Sequence, residues 1–544
     1  MSTVYRAFAD TATAHADKHF LHIPHSAATA WADTDVNLDY GEALESIHQL
    51  AEHYRSAGYG PAQRVALALE NRPDFFLHWL ALNRLGCSVI PISLEMQDEE
   101  IRYFLEHGDA ALVIAIPEAL DRLNAVCSSA AAPPVVAADN TAGLPAVNSQ
   151  HGDAAPDNGT ECALLYTSGS TGKPKACMLD NDYFLFAGQW YNGLGGLTRI
   201  RPGQERLLTP LPLTHMNAMA VSSMAMILSG GCLIQLDRFH PSSWWETVRE
   251  TGATIIHYLG VLPAILLEMP DSGNDTFGDQ VRFGFGAGVN PRHHARFEER
   301  FGFPLIEAWA MTESGVGGSI IANHEPRHVG TCCFGKPPAG LEVQLVDEAH
   351  RTVTTGEPGE LRVRAAGKDP ARGFFRGYLK NAEATAEIWQ DGWLNTGDVV
   401  RQGPDGSLHF VDRRKNVIRR SGENISALEV EAALALHPAV GNAVATAVPD
   451  ELRGDEVAAC IVLTEGNAAD AALARAIVER CLQQLAYYKA PGYILFCRDL
   501  PVTASNKPRR ADIKQLARDR VALGDCIDTR ELKRRRPAQW RPAQ

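Results

Sequence analysis

Short apolar runs alternate with amphipathic segments over most of this chain, and that alternation restricts the fold more than any other feature. Runs at 65–69, 88–92, 111–116, 231–236, 254–258 and 281–286 read as buried strands, and 74–85, 98–106, 242–251 and 263–269 read as the helices between them. Strands separated by helices build largely parallel sheets with helices on their faces, so an α/β protein is expected. At 544 residues the chain is too long for one hydrophobic core, and two or more domains are expected. One joint is legible in detail. The run at 281–286 leads into Gly286-Ala287-Gly288-Val289-Asn290-Pro291, where Asn290 suits a helix cap, Pro291 its first turn, and Gly302 its end. Ligands of open α/β sheets bind just beyond strand C-termini, where this glycine loop falls.

From Glu360 onward the pattern changes to strands and turns. Gly403-Pro404-Asp405-Gly406 reads as a turn between strands at 399–401 and 408–411. The charged segment Asp412-Arg413-Arg414-Lys415-Asn416 follows. Beyond it, Ser426-Ala427-Leu428-Glu429 has the form of a capping box opening a helix, and a second helix fits 470–485. A domain boundary is therefore expected at 412–416. It divides a large N-terminal α/β domain, 1–412, from a smaller C-terminal α/β domain, 413–529. The basic end, 530–544, reads as a disordered tail.

The net charge of −14 argues against general nucleic-acid binding. The N-terminus lacks the apolar core of a signal peptide. The most apolar long stretch, 216–234, contains Asn217, three serines and a Gly-Gly pair, so it reads as a buried helix and strand rather than a membrane span. The eleven cysteines are scattered and include no Cys-x-x-Cys, which suits reduced thiols in a cytoplasm and offers no metal-site spacing.

One loop points to chemistry. Tyr166-Thr167-Ser168-Gly169-Ser170-Thr171-Gly172-Lys173-Pro174-Lys175 packs two glycines, four Ser/Thr hydroxyls and two lysines behind the apolar run Ala163-Leu164-Leu165. Glycines let backbone N–H groups approach a polyphosphate, hydroxyls donate to it and lysines neutralise it. A Walker A loop is excluded. The residue five before Gly172 is Thr167, and Lys173 is followed by Pro174, which has no hydroxyl for a metal.

Further motifs follow in order: Leu211-Pro212-Leu213-Thr214-His215, Gly286-Ala287-Gly288, Trp309-Ala310-Met311-Thr312-Glu313, Trp393-Leu394-Asn395-Thr396-Gly397-Asp398, Asp412-Arg413-Arg414-Lys415-Asn416 with Gly422, and Pro501-Val502-Thr503-Ala504-Ser505-Asn506-Lys507. Taken together, nearly the whole chain resembles the adenylate-forming superfamily of acyl-CoA synthetases, luciferases and peptide-synthetase adenylation domains. The segment from Asp412 to Ser426 looks closest to the carnitine/crotonobetaine–CoA ligase branch.

The resemblance implies an acid–thiol ligase. ATP and a carboxylic acid form an acyl-adenylate with release of pyrophosphate, and coenzyme A then takes the acyl group. It assigns the β- and γ-phosphates to Thr167, Ser168, Gly169, Ser170, Thr171, Gly172, Lys173 and Lys175. Thr312 would touch phosphate and Glu313 would hold Mg2+. Trp309 and Gly286-Ala287-Gly288 would flank adenine, while Asp398 would accept from both ribose hydroxyls and Arg413 would contact ribose or phosphate. Lys507 would bridge the carboxylate and the α-phosphate. Lys415 would be the hinge of a mobile C-terminal domain, and the loop at Gly422 would line the pantetheine passage. His215 would stand near the acyl pocket or the carboxylate, with Met216, Asn217, Met219 and 258–261 as candidate walls. Ala310 and Asn506 depart from the family's usual glycines. The implied partners are a small to medium or polar carboxylic acid, ATP and coenzyme A, with no nucleic acid and no membrane. A homodimer is one assembly the sequence leaves open. A carrier-protein acceptor, a medium-chain or aryl acid, a non-catalytic nucleotide binder and a luciferase-type side activity also stay open.

Overall fold

The computed structural model describes residues 3–147, 155–167, 173–270, 273, 275–347, 349–413, 417–421, 423–501, 508 and 510–533. The described residues fall into two compact units. One comprises Met1–Leu94, Phe104–Leu165 and Ala176–Asp412. The other comprises Glu95–Tyr103, Tyr166–Lys175 and Arg413–Gln544.

The first unit holds three sheets. In the largest, the strands Leu305–Trp309, Phe283–Ala287, Ile255–Leu259, Arg206–Thr209, Cys232–Gln235 and His19–Ile23 run parallel in that spatial order. Antiparallel strands Ile320–Ile321 and Val36–Asp39 close its edges. A second sheet orders Val135–Ala137, Ala110–Ala115, Arg64–Ala68, Ser88–Pro91, Glu161–Thr167 and Lys175–Asp180. The third joins Cys333–Gly335, Leu408–Arg413, Trp393–Gln402, Pro358–Ala365 and Leu341–Val346. Cys333–Gly335 pairs antiparallel with Leu408–Arg413, and Pro358–Ala365 pairs antiparallel with both Leu341–Val346 and Trp393–Gln402.

The elements expected from periodicity are present within a few residues. Pro73–Arg84 begins with proline at its first turn, and Pro291–Phe301 stops at Gly302, whose φ of +78° suits glycine alone. The apolar stretch at 216–234 resolves into the π-helical turn Asn217–Ser222, the helix Ser223–Ser229 and the start of the strand Cys232–Gln235. Among the described residues no helix is long and apolar enough to cross a membrane.

In the second unit the sheet order is Glu423–Ser426, Val417–Arg420, Gly454–Leu463, Tyr493–Cys497 and Ile527–Asp528, with Val440–Asp450 also paired to Gly454–Leu463. The helices Ala427–Leu434 and Ala471–Gln484 pack on it, the latter capped by Asp470. The expectation of a disordered tail from Arg530 is corrected. Arg530–Leu532 form a 3-10 turn, the Arg530 guanidinium binds Asp528 at 2.7 Å, and Lys533 is buried with its ammonium on Glu456. Arg420 binds the same glutamate at 2.8 Å. A buried carboxylate between two cations anchors the chain here, because leaving any of the three unpaired away from water is costly. Residues 534–544 lie outside the described set.

Candidate active site

The parallel strands Phe283–Ala287 and Leu305–Trp309 lie side by side, and their C-terminal ends carry two of the expected motifs. The glycine loop is held from below by Glu307, a residue the sequence reading did not single out. Its carboxylate accepts from Gly288 N at 2.9 Å, Val289 N at 3.0 Å and the Tyr258 hydroxyl at 3.2 Å. Burial raises the Glu307 carboxyl above its ordinary value. Its one sequence signal is a lone charge inside the apolar strand Leu305-Ile306-Glu307-Ala308-Trp309. The neighbouring loop approaches closely, since a Cβ on Gly260 would stand 1.8 Å from the Gly288 carbonyl oxygen. The amides of Gly288 and Val289 therefore point into the protein, so this loop would meet a ligand through its glycine faces rather than through these two N–H groups.

Directly after the second strand, Trp309 donates its indole N–H to Asp398 Oδ2 at 2.8 Å. Asp398 is 1% exposed and Trp309 5%, so this charge-assisted bond is shielded from water. It ties the end of the parallel sheet to the antiparallel sheet, where Asp398 sits in the long strand Trp393–Gln402. The two residues expected at opposite ends of a nucleoside are thus joined directly. Asp398 is further fixed through its amide, which donates to the Thr396 hydroxyl, itself bound to the Leu361 carbonyl.

The loop after Trp309 presents Thr312 and Glu313. The Tyr183 hydroxyl donates to the Thr312 carbonyl at 3.0 Å, and the Tyr378 hydroxyl donates to Glu313 Oε1 at 2.7 Å. Phe375 N binds the Glu313 carbonyl. Burial and the Glu313 charge push the Tyr378 phenol far above its ordinary value, so it stays a donor at any working pH. Gly315, at φ +50°, allows the turn, because a Cβ there would meet the Gly373 carbonyl oxygen at 2.4 Å. Tyr183 and Tyr378 have no local sequence signal. Each becomes a neighbour of the motif only through the fold.

His215 is exposed and precedes the π-helical turn Asn217–Ser222, a local form common at functional sites. Its segment is held by Asn71, whose side chain bonds Leu211 O, Leu213 N and Leu236 O. Two of the expected pocket walls are buried. Met219 is fully buried, and Tyr258 spends its hydroxyl on Ile306 O and Glu307. Beneath the π turn, His257 lies buried between Ser222, Asn217 and Tyr191 at 2.8 to 3.0 Å, and burial holds its imidazole down to about 3.

In the second unit, Thr167 ends the strand Glu161–Thr167 and Lys175 begins the strand Lys175–Asp180. The Lys173 ammonium stands 5.2 Å from the Tyr103 ring centroid, and the Tyr103 hydroxyl donates to Pro174 O at 3.0 Å. This lysine is held at the mouth of its loop by a cation–π contact. Ser168, Gly169, Ser170, Thr171, Gly172, Lys415, Gly422 and Lys507 lie outside the described residues. Arg413 closes the strand Leu408–Arg413.

Comparisons with known proteins identify the family. The model of the AMP-binding enzyme family matches residues 8–379, and that of the AMP-binding enzyme C-terminal domain matches 429–507. The chain is 28% identical over 492 residues to a crotonobetaine/carnitine–CoA ligase of Escherichia coli, covering 87% of this chain and 92% of that one. It is 30% identical over 488 residues to a sulfoacetate–CoA ligase of Cupriavidus necator, covering 88% and 92%. An o-succinylbenzoate–CoA synthetase of Bacillus subtilis shares the fold, with a TM-score of 0.79 at 21% identity over 94% of this chain and 98% of that one. The first of these family models spans well over half of the chain and takes in the glycine loop, Trp309 and Glu313, and the chain belongs to the AMP-binding enzyme family.

Proposed function

We propose that this protein is an ATP-dependent carboxylate–CoA ligase acting through an acyl-adenylate on a small to medium or polar carboxylic acid. The observation that carries the reading is the Trp309–Asp398 bond at 2.8 Å beside Thr312 and the Tyr378-held Glu313. These groups form a rigid nucleoside and phosphate platform in a chain of the AMP-binding family. The relatives named for carnitine-type and sulfonated acids support a polar substrate.

In the first step an oxygen of the acid attacks the α-phosphorus of ATP, and pyrophosphate leaves. In the second, the thiol sulfur of coenzyme A attacks the acyl carbon, and AMP leaves. Asp398 and Arg413 hold the ribose. The loop 167–175 binds the β- and γ-phosphates, Lys507 neutralises the α-phosphate and carboxylate, and His215 borders the acyl group. Lys415 is the hinge of the exchange between the two steps, and Gly422 borders the pantetheine path. Glu313 suits Mg2+ as a hard oxygen donor whose orientation is set by Tyr378, and that ion takes few protein ligands when phosphates complete its shell. When bound, Mg2+ supplies charge neutralisation at the phosphates. Eleven scattered cysteines with no Cys-x-x-Cys go with a reducing compartment such as the cytoplasm.

The test is carboxylate-dependent exchange of pyrophosphate into ATP across betaine-type, sulfonated, short, medium-chain and aryl acids, followed by AMP formation with coenzyme A alone. Exchange with none of them would sink the reading. Exchange without AMP formation on adding coenzyme A would move the acceptor to a carrier protein.

A further inference from the structure

Cys460 and Cys497 lie on adjacent parallel strands of the second unit, where Cys460 registers with Leu495 and Cys497 with Val462. Alternation along both strands puts the two thiols on one face, under the helix Arg510–Ala522. Both cysteines belong to one packed cluster on that face. Cys460 is fully buried, whereas Cys497 is part-exposed. Arg520 Nη1 donates to Cys497 Sγ at 3.7 Å and to Phe496 O at 3.0 Å, and its Nε holds Asp525 at 2.7 Å. A part-exposed cysteine beside a fixed guanidinium, backed by a second thiol shielded from solvent, is the arrangement of an attacking and a resolving cysteine.

We infer that Cys497 and Cys460 form a modification site for hydroperoxides, oxidised reversibly to an intramolecular disulfide. The Cys497 thiolate attacks the O–O bond, becomes a sulfenic acid, and releases the other oxygen as water or an alcohol. The Cys460 sulfur then attacks the sulfenic sulfur, the S–S bond forms, and the hydroxide leaves as water with the Cys460 proton. Two thiols are oxidised and one peroxide is reduced. The neighbouring Cys460 thiol, together with Arg520, draws the Cys497 thiol below its ordinary value, whereas burial pushes Cys87 and Cys481 up to about 12. This oxidation is independent of the reaction proposed above.

The full chain is treated with stoichiometric hydrogen peroxide and mapped by mass spectrometry without reduction. The expected product joins the Cys460 and Cys497 peptides, and dithiothreitol reverses it. Cys460→Ser should leave a Cys497 sulfenic acid that dimedone captures, and Cys497→Ser should abolish both products. Cys497 should react about tenfold faster than the part-exposed Cys526, an advantage that Arg520→Met reduces. Equal rates at Cys497 and Cys526, or a disulfide to any other cysteine, would overturn the assignment.

Discussion

Replacing Tyr378 by phenylalanine tests whether Glu313 acts from a fixed position. The substitution removes one hydroxyl and keeps the ring, which packs on Phe375 at 4.9 Å between centroids. The lost bond spans 2.7 Å and ends on a carboxylate that is 7% exposed. Hydrogen bonds to charged groups contribute about 1.5–3 kcal/mol, and each 1.36 kcal/mol is tenfold in rate. If that energy orients Glu313 in the transition state, exchange activity should fall about 10- to 100-fold at saturating ATP. The assay is pyrophosphate exchange with the best acid, accompanied by a thermal melt to verify folding. Coupling supplies the decisive measurement. Because the phenol works through Glu313, Tyr378→Phe should cost little more in a Glu313→Gln background, a non-additivity expected of groups in contact. Loss of activity within twofold of wild type, or full additivity of the two substitutions, would refute the reasoning.

Three further outcomes follow from the packing and charge. Gly260→Ala should destabilise by about 1–3 kcal/mol or more through overpacking, since its Cβ would fall 1.8 Å from Gly288 O. Gly143→Ala, with nothing within 4 Å, should leave the melting temperature unchanged, and equal melts for the two variants would contradict the geometry. His257 is held neutral at about 3, below its ordinary 6.5, so the unfolded chain binds its proton first. That stability is present above pH 6.5 and lost as pH falls from about 6.5 towards 3. His257→Gln should reduce the acid slope of stability by about one proton, and an unchanged slope would count against it. A chain ending at Thr529 should be less stable than one ending at Lys533 by up to about 3 kcal/mol, because Glu456 keeps Arg420 but loses Lys533. Equal denaturation midpoints would mean that Lys533 contributes no anchoring.

Legibility tracked distance along the chain. The strands Ser88–Pro91 and Ile255–Leu259 and the helix Pro291–Phe301 follow from local periodicity, proline and glycine, so each was readable from a few neighbouring residues. The family likewise rests on short motifs in a given order. Trp309 and Asp398 were both singled out, yet nothing local says that they bond to each other across 89 positions. Glu307, Tyr183 and Tyr378 were missed because their importance lies wholly in the partner each meets. Arg530 and Lys533 look like a solvated basic run until Asp528 and Glu456 are seen beside them.

The sequence by itself determined the α/β class, the family and the residue types that an adenylating site needs, because these depend on periodicity and local chemistry. Only the tertiary structure decided which groups hold that site rigid. The Trp309–Asp398 clamp, the Tyr378–Glu313 bond and the Glu307 support of the glycine loop are pairings between separate strands and loops. Burial gives them their strength, and burial is a property of the folded chain.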